Sequence, residues 1–155
     1  MAQLSHLTDS GEARMVDVSG KPALAREAIA AGEIRLAETT LQLIESNTVA
    51  KGNVLATARL AGIMAAKRTG DLIPLCHPLA LTHCEVEFNI PPSRDRIQIQ
   101  ATTRIVAGTG VEMEALTAVT LAALTIYDMC KAVDKTMCLG EVRLLSKTKK
   151  PIPAP

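Results

Sequence analysis

Residues 110–134 read GVEMEALTAVTLAALTIYDMCKAVD, and the architecture of the chain turns on them. No charged residue lies between Ala115 and Tyr127, while Glu112 and Glu114 sit at one end and Asp128 and Lys131 near the other. Alanine and leucine favour helix, and a helix apolar nearly all round is a buried one. Charges at its margins are then paired, hydrated or used, because burying them alone is costly. At a rise of about 1.5 Å per residue, Glu114 and Asp128 lie about 21 Å apart along the axis. A small-molecule pocket in one subunit does not easily use both, so a site that does needs two copies of the chain.

Upstream, two runs alternate with period two. Cys84, Val86, Phe88 and Ile90 share one face, and Glu85, Glu87 and Asn89 the other. Ile97, Ile99, Ala101, Thr103 and Ile105 alternate with Gln98, Gln100, Thr102 and Arg104. One apolar face per strand predicts antiparallel strands half covered by helices, joined as a hairpin through Pro91-Pro92-Ser93-Arg94-Asp95. Before them, residues 54–68 are alanine-rich and helical, entered through Lys51-Gly52-Asn53 and ended near Gly70. Residues 72–78 carry two prolines and form a stiff loop. Thr39–Glu45 makes one or two helical turns. Ile34 and Leu36 mark a short strand within 33–37, and Val142–Lys147 a last one. The order strand, helix, strand, strand, helix, strand predicts an α+β, ferredoxin-like split βαβ sandwich, an antiparallel sheet with helices on one face. Gln98, Gln100 and Arg104 mark the other face as wet or subunit-facing. Residues 1–147 form a single domain whose first 20 residues are an arm, strand-like at Met15–Val18. The Lys- and Pro-rich residues 148–155 are expected to be a mobile tail.

At 155 residues the chain is long enough to bury a real core as one domain. Its net charge of +1 offers no global field for nucleic acid or a membrane surface. An RNA-binding module of this topology needs stacking aromatics on its central strands. The single Phe, Phe88, lies on the core face, and residues 97–105 contain no aromatic. The N-terminus carries no leader pattern and Ala115–Tyr127 is too short to span a bilayer, so a soluble cytoplasmic protein is expected. Cys76, Cys84, Cys130 and Cys138 show no C-x-x-C spacing and read as reduced thiols. Cys76-His77 and His83-Cys84 form a C-H-x5-H-C pattern, but structural zinc sites bring tighter cysteine pairs. Buried thiols with one working histidine is the better reading.

Each polar candidate has two readings. Thr109-Gly110-Val111-Glu112 fits a capping box, which gives Glu112 a local task. Glu114 has no such task and is either a surface acid favoured by the helix dipole or a site residue. Asp128 and Lys131 share a helix face; they are a surface ion pair or a carboxylate and an ammonium that tune each other for acid/base work. Lys51 opens a helix, where it is solvated or adds charge to an anion site. His77, between Cys76 and Pro78, is structural or functional. Lys67 and Arg68 are explained by solvent and the helix dipole.

LIPLCHPL (72–79), GVEMEALTA (110–118) and LTIYDMCKAVDK (124–135) resemble the MoaC-type cyclic pyranopterin monophosphate synthases of molybdenum cofactor biosynthesis. HLTDSGEARMVDVS (6–19) and ATARLAGIMAAKRT (56–69) extend the resemblance over most of residues 6–147. It implies conversion of (8S)-3',8-cyclo-7,8-dihydroguanosine 5'-triphosphate to cyclic pyranopterin monophosphate with release of diphosphate; no cofactor is expected, and no carboxylate cluster in the sequence demands a metal. It also implies a homohexamer, a trimer of dimers with pockets at the dimer interface, and neither nucleic acid nor membrane as partner. By matching position, Asp128 becomes the catalytic acid/base with Lys131 beside it, and Lys51 a substrate contact needed for activity. Leu75, Cys76 and His77 match one substrate-contacting loop, and Met113 with Glu114 the other contact. Two departures stand out. Asn53 occupies a position that is often Asp, and the glycine-rich, Lys-Ser-containing segment expected after the last strand is missing. Lys147, Lys149 or Lys150 must replace whatever it contributes to phosphate binding. The rival reading is a ligand-sensing domain of the same fold, which needs a pocket but no acid/base pair.

Overall fold

The computed structural model describes residues 10–152. Its strands are β1 (Leu24–Arg35), β2 (His83–Asn89), β3 (Arg96–Ala107) and β4 (Cys138–Lys150). Its helices are α1 (Glu38–Glu45), α2 (Val54–Lys67), α3 (Thr69–Leu72) and α4 (Glu112–Cys130). The sheet runs β2-β3-β1-β4 and every neighbouring pair is antiparallel. The stretch from β1 to β2 through α1–α3 leaves room for β3 between them, and the crossover from β3 to β4 through α4 leaves room for β1. Two split βαβ units interleave, which is the ferredoxin-like arrangement.

α2 and α4 pack on each other and on one sheet face. Ala28, Ala30 and Ile34 of β1 and Ile97, Ile99 and Ala101 of β3 meet Ala115, Ala118, Val119, Ala122 and Ile126 of α4 in the core. By length and hydropathy α4 could cross a membrane, but this buried row makes it the core helix. Its burial is not all round. Thr120, Leu124 and Asp128 form an outward stripe, with Leu124 49% exposed. Small residues bring the helices close. A Cβ on Gly62 would stand 2.9 Å from the Ala118 carbonyl oxygen and 3.3 Å from the Ala122 Cβ. Gly62→Ala gains helix propensity but overpacks this contact, and since the obstacle is backbone the overpacking wins. The expected loss is about 1–3 kcal/mol in urea unfolding; a variant as stable as the parent would refute the close approach.

Five expectations change. The first strand runs over Leu24–Arg35, well beyond 33–37, because a central strand bonded on both edges overrides the helix-favouring alanines of residues 24–31. Met15–Val18 is not a strand, and the first nine residues of the arm lie outside the described residues. The last strand covers Cys138–Lys150, pairing Thr148, Lys149 and Lys150 with Glu27, Arg26 and Ala25, so three residues expected in the tail belong to the sheet. The last three residues, 153–155, are not described. Finally, α4 does not begin with a capping box. Val111 is its N-cap and offers no side-chain bond, while Glu112 accepts from Lys147 Nζ at 2.8 Å. Burial of Val111, whose carbonyl accepts from the Thr103 hydroxyl at 2.9 Å, fixes the backbone there and displaces the local motif. Gly70 likewise does not end the chain's helical run; it lies within α3, where a Cβ would meet Pro78 at 3.0 Å.

Candidate functional site

The charges at the two ends of α4 belong to two different groups. At its C-terminal end, Asp128 and Lys131 lie three residues apart, and Lys131 Nζ is 2.7 Å from Asp128 Oδ1. Lys51 arrives from the loop before α2 and places Nζ 2.8 Å from Asp128 Oδ2 and 2.9 Å from the Asp128 carbonyl oxygen. That loop is held by Gly52 at φ +95 and by Asn53, whose side chain accepts from Ala56 N–H at 2.9 Å as the N-cap of α2. Asn and Asp serve equally well as caps, so the departure at position 53 costs the helix nothing. All three charged groups are about half exposed. The hydrogen bonds from Lys131 and then Lys51 draw the Asp128 carboxyl down to about 2, and Asp128 in turn raises Lys131. The arrangement is an ionised carboxylate gripped by two ammonium groups at the protein surface.

At the N-terminal end, a cavity of about 610 Å³ lies against the loop carrying Leu75, Cys76 and His77 and the first turn carrying Met113 and Glu114. Glu114 is 3% exposed, and burial, reinforced by the charge of Glu112, pushes its carboxyl up to about 7. Burial, then Glu114 and Glu112, also raises the Cys76 thiol, which favours its protonated form. His77 Nε2 stands 2.8 Å from the Val16 carbonyl oxygen. A carbonyl only accepts, so Nε2 carries the proton and Nδ1 is the nitrogen free to take one up. Glu112 has one oxygen on Lys147 and the other buried without a partner. Burial would raise its carboxyl, but the Lys147 hydrogen bond, the local backbone and the charges of Lys147 and Arg26 together hold it low. Lys21, Arg26, Lys147 and Lys149 bring positive charge to the same cavity.

Within one subunit the two groups stay apart, since the helix between Glu114 and Asp128 separates them by about 21 Å. Leu75, Cys76, His77, Met113 and Glu114 share the cavity; Lys51, Asp128 and Lys131 do not line it.

Residues 15–150 match the family model described as the MoaC family. The chain belongs to the MoaC family. It is 58% identical to the cyclic pyranopterin monophosphate synthase of Roseiflexus sp. (strain RS-1) over 148 residues, covering 96% of this chain and 94% of that protein. A protein of the same name from Chloroflexus aggregans is 61% identical over 145 residues, 94% of this chain and 88% of its own. One from Pelotomaculum thermopropionicum is 57% identical over 148 residues, 96% and 87% of the two chains.

In this MoaC-family chain the structure adds residues that the sequence did not single out. Arg26 donates from Nε to the Ala107 carbonyl at 2.9 Å and from a terminal nitrogen to the Gly108 carbonyl at 3.0 Å, fixing the turn before α4. Lys21 lines the same cavity. Their signal is a sheet register, Arg26 opposite Ile105 and Lys149, which no local motif encodes. Of the three lysines expected to serve phosphate binding, Lys147 and Lys149 line the cavity and Lys150 does not.

Proposed function

We propose that this chain is a cyclic pyranopterin monophosphate synthase, a lyase of molybdenum cofactor biosynthesis. It converts (8S)-3',8-cyclo-7,8-dihydroguanosine 5'-triphosphate to cyclic pyranopterin monophosphate and releases diphosphate. The observation that carries this reading is the Lys51–Asp128–Lys131 cluster, built at one end of the helix whose other end presents a cavity with four cationic side chains and a buried carboxyl.

The chemistry divides between the two groups. Opening the guanine-derived ring and reclosing it as a pterin requires proton transfers, and loss of diphosphate develops negative charge that ammonium groups stabilise. Asp128 rests as a weak base, because two cations hold its carboxyl at about 2. When phosphate oxygens of the substrate compete for Lys51, Asp128 loses a partner and its basicity rises towards the range where proton transfer is efficient. At the other end of α4, Glu114 meets amine-type donors on the base, His77 takes up a proton at Nδ1, and Lys147 with Lys149 meets the phosphates. One active site then needs the Asp128 end of one subunit and the Glu114 end of another. That is the reason for reading the chain as at least a dimer; the trimer of dimers and the cytoplasmic location come from its resemblance to the MoaC family. A ligand sensor would use the cavity and leave the cluster idle.

Incubation with the cyclic nucleotide should release diphosphate and form the pterin; binding without release would favour the sensor. The shared site has its own test. Mixing inactive Glu114→Gln and Asp128→Asn proteins and allowing subunits to exchange should restore part of the activity, because some interfaces then pair two intact halves. No recovery after exchange demonstrated by mass spectrometry, or a monomeric solution mass, would refute it.

A further inference from the structure

Asp134 lies beyond the end of α4, outside the groups described above, and is 6% exposed. Its carboxylate is held by neutral donors on both oxygens. Oδ2 accepts from the Ala37 backbone N–H at 2.9 Å and the Thr40 hydroxyl at 3.1 Å. Oδ1 accepts from the Thr136 N–H at 2.9 Å and the Thr136 hydroxyl at 2.7 Å. Burial alone would raise this carboxyl, but the hydrogen bonds outweigh it and keep the group ionised.

The two sides of this contact belong to the two stretches that carry the Lys–Asp–Lys cluster. On one side, Lys131 N–H bonds the Tyr127 carbonyl at 2.8 Å and Asp134 N–H the Cys130 carbonyl at 3.1 Å, so Asp134 follows Lys131 by about one turn and is fixed to the end of α4. On the other, Ala37 is the N-cap of α1 and brings no side-chain cap of its own. Asp134 supplies that cap from 97 residues away. α1 then leads through a turn closed by the Thr48 N–H to Leu43 carbonyl and Gly52 N–H to Val49 carbonyl bonds, and so to Lys51. Lys51 returns the favour by donating to the Asp128 carbonyl, one of the last-turn carbonyls that α4 leaves without a partner. The segment behind α4 caps α1, and the segment behind α1 caps α4.

We propose that Asp134 is a positioning residue, which holds the end of α4 and the start of α1 in one rigid corner so that Lys51 and Lys131 converge on Asp128. The inference rests on reading that cluster as catalytic. Leu41 and Ile44 bury the other side of α1, and Arg94 ties Glu38 and Glu45 to the β2–β3 hairpin, so loosening the corner need not unfold the domain.

The test is Asp134→Asn, which keeps size but turns an amide donor towards one of the two donor pairs. Turnover of the cyclic nucleotide should fall about tenfold or more, since the misplaced corner no longer brings Lys51 and Lys131 together on Asp128. Independently of activity, the Asp128 carboxyl, followed by carbon-13 NMR, should titrate about half a unit or more higher, moving towards its value in Lys51→Gln. An Asp128 titration identical to the parent's overturns the inference whatever happens to turnover. A raised titration with unchanged turnover leaves the corner standing and refutes the catalytic reading of the cluster. If Asp134→Asn does not fold, Thr40→Val, which removes a single donor, decides by the same titration with a smaller shift in the same direction.

Discussion

Asp128→Asn lowers turnover of the cyclic nucleotide by about 10²–10⁴-fold, the range general acid/base groups supply. Its signature distinguishes it from damage to the fold. Asp128, Lys51 and Lys131 are half exposed, so their pairing contributes little to stability and the thermal midpoint stays close to the parent's. Binding moves the opposite way to turnover. Without the carboxylate, two ammonium groups lose their neutralising partner and are free for phosphate, so KM stays level or falls. A fall in kcat without a rise in KM marks an interaction made in the transition state. Diphosphate release under saturating substrate reads kcat directly, and a variant within about threefold of the parent would sink the assignment.

The second large effect is a pH dependence of stability set by Glu114. Its carboxyl stands at about 7 in the folded protein against an ordinary 4.5. The folded chain therefore holds a proton that the unfolded chain has released between these values. The contribution to stability is complete below about pH 4.5 and is lost as pH rises through 7, to a total on the order of 3 kcal/mol. Stability to urea should fall between pH 5 and 8 in the parent, while Glu114→Gln, which cannot ionise, falls less and is the more stable protein at pH 8. The difference between the two curves isolates Glu114 from every other ionisable group. Glu33 and Asp134, whose carboxyls are held low, give the reverse dependence, and only at more acid pH. Parallel curves for parent and variant would show that Glu114 is not buried as a neutral acid.

What could be read from the sequence follows from where each signal originates. The β2–β3 hairpin was legible because each strand has one wet face, and period two survives in the residue string. β1 was mostly hidden, since a central strand among alanines has no polar alternation to display. β4 was cut short for the opposite reason: an edge strand is exposed along nearly its whole length, so its pairing with β1 leaves no apolar pattern. The capping motif at Thr109–Glu112 was genuine local chemistry overruled by the burial of Val111. At the site, spacing alone joined Asp128 to Lys131. Lys51, named through the family resemblance and not by spacing, reaches them across 77 residues, and Lys21, Arg26 and Asp134 act through tertiary contacts that no local pattern displays.

That sheet order bears on how the molecule is made. β1 is flanked by β3 and β4, and Ala25 pairs with Lys150 across almost the whole described chain. During synthesis β1 can find β3 once residues up to 107 exist, but its second edge stays bare until residues 138–150 follow. A bare edge is a template for other chains, and a contact so distant in sequence forms late and slowly. The same lysines that line the cavity from β4, Lys147 and Lys149, also put charge on the last strand to dock, where it discourages a wrong neighbour from docking first.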